Sequence, residues 1–149
     1  MRNYDNLVRE SYAIFRQYPD IFPHIRLDKL QWRFEHRQLL YRDGVVITFT
    51  RYRSSTRLGD CLAKSGDLVI HQIVNRSPGN GQAHRVLSAL IKQQAAPAVW
   101  LTVRQNNKRA IQFYVRGGFK QVGNIAWKDG TLPGIVMCYQ PWIMIRGLF

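Results

Sequence analysis

The stretch from Val69 to Phe119 constrains this chain more than any other. It opens on the apolar run Leu68-Val69-Ile70-His71-Gln72-Ile73-Val74, whose β-branched content and turn-prone flanks predict a strand. Asn75-Arg76-Ser77-Pro78-Gly79-Asn80-Gly81 follows, with glycines that let bare backbone approach a ligand. A helix comes next, with Val86, Leu87, Ala89, Leu90 and Ile91 on its apolar side. A strand feeding a glycine loop that opens a helix turns several N–H groups, and the helix dipole, on one place. That place suits an anion, phosphate above all. Such turns also occur without a ligand. The loop is not the dinucleotide fingerprint, since no third glycine follows at the required spacing. Nor is it a Walker loop, since no Lys-Ser/Thr follows Gly81.

The second half of the stretch narrows the choice. After a strand over Ala98–Val103 comes Asn107-Lys108-Arg109-Ala110-Ile111-Gln112-Phe113-Tyr114-Val115-Arg116-Gly117-Gly118-Phe119. Here the sequence resembles the GNAT acyl-coenzyme A N-acyltransferases. Arg76, Gly79 and Gly81 match the family's pyrophosphate motif, Gln/Arg-x-x-Gly-x-Gly/Ala. Asn107, Ala110, Phe113, Tyr114, Gly118 and Phe119 match its later motif, Asn-x-x-Ala-x-x-Φ-Tyr-x-x-x-Gly-Phe. Two motifs in the right order, with a helix and a strand between them, are more specific than either alone. In the family the motif arginine lies several residues past the strand, whereas Arg76 follows Val74 almost at once.

The resemblance implies an α/β (α+β) fold, a mixed central sheet flanked by helices, in a single domain over residues 1–149. It implies transfer of an acetyl or other acyl group from coenzyme A to an amine. Gln72, Ile73 and Val74 would offer backbone N–H groups to the thioester carbonyl, where a strand irregularity admits the pantetheine arm. Arg76, Gly79, Asn80, Gly81 and Asn107 would hold the cofactor, and Tyr114 would lie near the thioester sulfur. With a thiol pKa of about 8.5 and a tyrosine pKa of about 10, full proton transfer to the thiolate is uphill by roughly 2 kcal/mol. Tyr114 is therefore expected to act as a hydrogen-bond donor. The general base is open among Glu35, Asp60, Asp67, His71, His84 and a water-mediated route; His71, whose type titrates near neutral pH, is the residue assigned.

Charge bears on the acceptor. The net charge is +13, mostly from arginine spread from Arg2 to Arg146. Coenzyme A is an anion, but one cofactor engages few side chains. Arginine is suited to bidentate phosphate contacts, so nucleic acid is the natural further partner. Arg33, Arg51 and Arg53 are the candidate contacts. An acceptor on aminoacyl-tRNA, or on a modified DNA base as in phage DNA modification, fits this reading. A binding module that keeps the fold without catalysis, a protein or small-molecule amine acceptor, and a merely solvated basic surface are the alternatives.

The rest of the chain sets the frame. Two basic helices are expected, over residues 4–17 and Leu27–His36, with Leu30 and Phe34 inward and Arg26, Lys29, Arg33 and Arg37 outward. Asp43-Gly44 and Lys128-Asp129-Gly130 each predict a hairpin. The polar stretch Ser54–Gly66 reads as a mobile loop, and Trp142–Phe149 as a segment that packs back or meets a partner chain, as in a homodimer. Cys61 and Cys138 lack metal-ligand spacing, and His24, His36, His71 and His84 are scattered, so no metal is expected. No apolar run is long enough to span a membrane, and the start carries no signal pattern, which suggests a cytoplasmic protein.

Overall fold

The computed structural model describes residues 2–141, with side chains from Asn6 onward; the segment Trp142–Phe149 lies outside these residues. In chain order the elements are α1 (Arg2–Phe15), α2 (Leu27–Glu35), β1 (Leu39–Arg42), β2 (Val45–Arg51), β3 (Thr56–Leu58), β4 (Cys61–Ala63), β5 (Leu68–Asn75), α3 (Gln82–Gln94), β6 (Val99–Arg104), α4 (Lys108–Arg116), β7 (Lys120–Trp127) and β8 (Leu132–Tyr139). Six strands form one sheet in the order β1-β2-β5-β6-β8-β7, and β3 and β4 form a separate pair. β5 and β6 run parallel, while β1–β2, β6–β8 and β7–β8 are antiparallel, so the sheet is mixed, as the sequence implies. The residues group into two compact units, Met1–Phe49 with Gln72–Leu90, and Thr50–His71 with Ile91–Phe149. The chain passes from one to the other within β2, β5 and α3.

In the first unit α1 and α2 bury their apolar stripes. Val8, Ile14 and Phe15 of α1 and Leu30 of α2 cluster with Leu39, Val46 and Val74. The Phe15 ring meets the edge of Phe22 with centroids 4.9 Å apart. Val45, Val46, Ile47 and Thr48 are all buried, so β2 is covered on both faces and its sequence does not alternate. Asp43 (φ 53°) and Gly44 (φ 77°) both take left-handed backbone and close the two-residue turn that Asp-Gly predicts.

In the second unit Ala63, Ala98, Trp100, Val136 and Cys138 form the core. Asp67 is buried beside them, accepting from the indole N–H of Trp100 (2.9 Å) and the backbone N–H of Lys64 (2.9 Å). The stretch expected as a mobile loop is instead the β3–β4 hairpin. Leu58 and Cys61 pack on the core, and Asp60 fastens the turn to β7. Its backbone N–H donates to the Asn124 carbonyl, and its carboxylate accepts from the Asn124 N–H, each at 3.0 Å. The polar composition hid a structure held by backbone groups.

α4 ends in a Schellman motif. The Phe119 N–H donates to the Tyr114 carbonyl and the Gly118 N–H to the Val115 carbonyl, each at 3.0 Å, and the Tyr114 and Phe119 rings pack 5.6 Å apart. Gly118 has φ 96°, and a Cβ there would lie 2.9 Å from the Tyr139 ring. Gly118→Ala is expected to destabilise the fold by about 2 kcal/mol, from backbone strain and overpacking together. Urea denaturation measures it, and an unchanged midpoint would refute the role given to this glycine.

Burial pushes the Cys138 thiol up to about 12 and the Tyr114 hydroxyl upward as well. Both groups are neutral when protonated, so the folded state keeps these protons to higher pH than the unfolded chain. Their stabilising contribution is complete below about pH 9, where an unfolded thiol begins to ionise, and is lost as pH rises toward 12. Melting temperature should therefore fall from pH 9 upward, and Cys138→Ala should flatten the onset. Identical alkaline profiles for the two proteins would contradict this assignment.

Candidate functional site

β5 changes phase half-way along. Thr48 and Thr50 are two residues apart on β2 and so face one side of it. Yet the Thr48 hydroxyl donates to the Gln72 side chain (2.9 Å), and the Thr50 hydroxyl bonds the His71 Nε2 (2.7 Å). Consecutive residues of β5 thus meet partners on the same face of β2. The backbone agrees. The Leu68 N–H donates to Ala98, ahead of β6, whereas the Arg76 N–H donates to Gly44, ahead of β2. Strict alternation would send both to the same side, so the phase shifts by one between them, as at a β-bulge. The register with β6 covers Leu68 and Val69. Beyond the bulge, the alternation turns the N–H groups of Ile73 and Asn75 away from β2.

The glycine loop is braced from within. Asn75 Oδ1 accepts the Ser77 N–H (3.0 Å), Asn80 Oδ1 accepts the Gln82 N–H (2.9 Å), and the Asn75 amide donates to Asn80 Oδ1 (3.2 Å). Asn80 is therefore spent on the start of α3, and its side chain is not a loose ligand. Gly79 (φ 88°) and Gly81 (φ 78°) are both left-handed, and a Cβ on Gly79 would meet no atom within 4 Å. The first turn of α3 carries no acid. Arg76 donates to the Tyr41 hydroxyl of β1 instead of standing free, because it is the first residue past β5 and reaches the neighbouring hairpin.

Another cation is present at the loop. Arg85 folds back toward Gly81, with Nε on the Gln82 side chain (3.0 Å) and Nη2 on the Asn80 carbonyl (3.3 Å). Its guanidinium comes within 3.4 Å of where a Gly81 Cβ would stand. The family motif does not single out Arg85; its spacing of four from Gly81, one helical turn, is the signal that finds it.

On α4, Asn107 accepts the Ala110 N–H as the helix N-cap (3.2 Å). Tyr114 is buried between Phe113 and Phe119, and this burial raises its hydroxyl pKa. The proton is thus held on the oxygen, and its transfer is harder than in water.

The base candidates differ in how far they are committed. Asp67 is buried on Trp100, Asp60 holds β7, and Glu35 accepts from Gln31 (3.1 Å). His71 is exposed on β5 with Nε2 held by Thr50. The chosen cations differ as well. Arg33, expected outward, is half-buried on Gln38, and burial lowers its pKa. Arg51 donates to the Gly66 carbonyl (2.8 Å) and to the carbonyl and side chain of Gln94 (2.6 and 2.9 Å), so it closes the end of α3. Arg53 is exposed. Among the described residues no group of three His, Cys, Asp or Glu side chains is arranged to hold a metal ion. No helix of these residues is long and apolar enough to cross a membrane.

No protein-family model and no curated protein matches the sequence. Solved structures do match the fold. One described as histone acetyltransferase HPA2 and related acetyltransferase, from Corynebacterium glutamicum, aligns with TM-score 0.66 at 17% identity, over 95% of this chain and 92% of that one. A ribosomal-protein-alanine N-acetyltransferase from Brucella melitensis aligns with TM-score 0.66 at 15% identity, over 91% and 95%. An acetyltransferase of the GNAT family from Streptococcus pneumoniae aligns with TM-score 0.56 at 16% identity, over 78% and 77%. The chain has the fold of the GNAT acetyltransferases.

Proposed function

We propose that this protein is an acyl-coenzyme A-dependent N-acyltransferase whose acceptor amine is carried on nucleic acid. One observation carries the reading most. The acid-free, doubly left-handed loop Gly79–Gly81 opens α3 with Arg85 folded over it, which suits a pyrophosphate. When bound, coenzyme A supplies the acyl group as a thioester, the acetyl form being the default.

The residues divide the work. Within the expected Gln72–Val74 stretch, the backbone N–H of Ile73, turned away from β2 past the bulge, is the donor for a thioester carbonyl, since preformed donors stabilise charge as it develops. Arg85 joins Gly79, Asn80 and Gly81 at the phosphates; Arg76 braces the loop through Tyr41. Asn107 fixes the start of α4, and Tyr114 holds its proton toward the departing sulfur. His71 takes the amine's proton, with Thr50 setting the orientation of its ring.

The acceptor follows from charge and basicity. From Leu68 to Lys128 the sequence contains no Asp or Glu, so β5, α3, β6 and α4 supply no carboxylate base. A lysine amine, pKa about 10.4, is neutral in roughly one molecule per thousand at pH 7.5. An α-amine, pKa about 7.7, is neutral in roughly 40%. An acceptor of the second kind, such as the aminoacyl end of tRNA, makes little demand on a base. A modified DNA base with a weakly basic amine makes equally little. A net charge of +13 also repels basic peptides and attracts nucleic acid.

Two tests follow. Acetyl-coenzyme A should bind in calorimetry, and Gly81→Glu should abolish binding, since it strains a left-handed position and places a carboxylate beside Arg85. Equal affinity in that variant would sink the cofactor site. With an aminoacyl-tRNA acceptor, Tyr114→Phe should slow single-turnover transfer by about 10²–10³-fold with little change in cofactor affinity. In the same assay, His71→Gln should slow single-turnover transfer, since it removes the group assigned as general base. Unchanged rates in both variants would refute the assigned roles.

A further inference from the structure

We propose that the exposed face of α4, with Arg104 and Lys120 at its two ends, docks the phosphodiester backbone of a nucleic acid. The inference rests on the nucleic-acid acceptor proposed above and moves the contact away from two of the cations that sequence singles out. Arg33 and Arg51 are engaged within the fold, on Gln38 and on Gly66 and Gln94.

The cations of α4 are placed differently. Lys108, Arg109, Gln112, Val115 and Arg116 are its exposed residues, and they share one helical face by their spacing. Arg104 ends β6 and Lys120 begins β7, each separated from α4 by three residues; both are exposed. All of these residues belong to one compact unit. Among the described residues the one ion pair joins Arg26 to Asp28, so none of the five cations is paired with a carboxylate. The nearest acid along the chain is Asp129 on one side and Asp67 on the other.

Two of these charges stand where the helix itself disfavours them. Lys108 and Arg109 occupy the first turn, at the positive end of the helix dipole, and that turn has no acid. A chain that keeps cations there, unpaired, has placed them for something outside the helix. Polyanion charge compensates that end as well as the side chains. From Lys108 to Arg116 the face runs about 12 Å, the rise of three to four nucleotides along one strand. Val115, exposed at 54%, breaks the cationic row with an apolar contact point.

The test is fluorescence anisotropy with labelled unfractionated tRNA and a 20-base-pair DNA duplex, between 50 and 200 mM salt. Five phosphate contacts predict a roughly 500-fold loss of affinity over that range. The double variant Arg116→Glu/Lys120→Glu should weaken binding more than tenfold and take about two units off the salt slope. Acetyl-coenzyme A affinity should stay at the parent value. Arg116→Gln/Lys120→Gln gives the same direction with a smaller effect and serves if the reversal does not fold. Arg42→Glu/Lys92→Glu, with the same change in net charge, should cost little. The proposal is overturned if that control weakens binding as much as the α4 pair, because the attraction is then diffuse. Binding that ignores the α4 pair overturns the docking face alone. No binding of tRNA or DNA at 50 mM salt overturns both the face and the nucleic-acid acceptor, while the acyltransferase reading still stands or falls on calorimetry. Whichever nucleic acid binds more tightly identifies the source of the phosphates.

Discussion

The two halves of β5 are bonded differently: Leu68 reaches Ala98, and Arg76, just past its end, reaches Gly44. A strand pairing faithfully with both neighbours would seal every backbone N–H in a ladder and leave no donors for a ligand. The bulge at His71–Gln72 breaks that regularity without breaking the strand, because Thr48 and Thr50 still bond the displaced residues through their side chains. The same shift sends the Arg76 N–H to Gly44, which seats the start of the glycine loop against the β1–β2 turn.

The motif on α4 shows how folding and chemistry share residues. Asn107 caps the helix, Ala110 supplies the N–H it caps, and Tyr114, Gly118 and Phe119 form the closing Schellman motif. Each of these types has a local reason to stand where it does. The helix is nine residues long and would be marginal alone, so both ends must be fixed for the Tyr114 hydroxyl to be held in one place.

Much of this was legible in the sequence because it is local. Asp43-Gly44, the glycine loop, and the capped α4 each specify their backbone within a few residues, and the strand and helix alternation follows from apolar periodicity. What escaped depends on partners distant in sequence. Ser54–Gly66 reads as a loop until Asp60 meets Asn124, 64 residues away. Arg33 reads as exposed on a helical wheel, but Gln38 takes its guanidinium where the chain turns into β1. The bulge is invisible in Leu68–Asn75 itself, since it is defined by what β2 offers opposite.

Charge was the least local of these signals. A net charge of +13 says how strongly the molecule attracts anions, but not which cations have hydrogen bonds left to give. The structure separates the two. Arg51 spends three hydrogen bonds on the end of α3 and the loop before β5, and a carbonyl there would otherwise lack a donor. Arg76 spends its reach on Tyr41, an outcome of the short link between β5 and the glycine loop. A longer link would free that guanidinium for the loop; with the short one, Arg85 approaches from the helix side instead. The length of one connection thus decides which guanidinium lies against the two glycines.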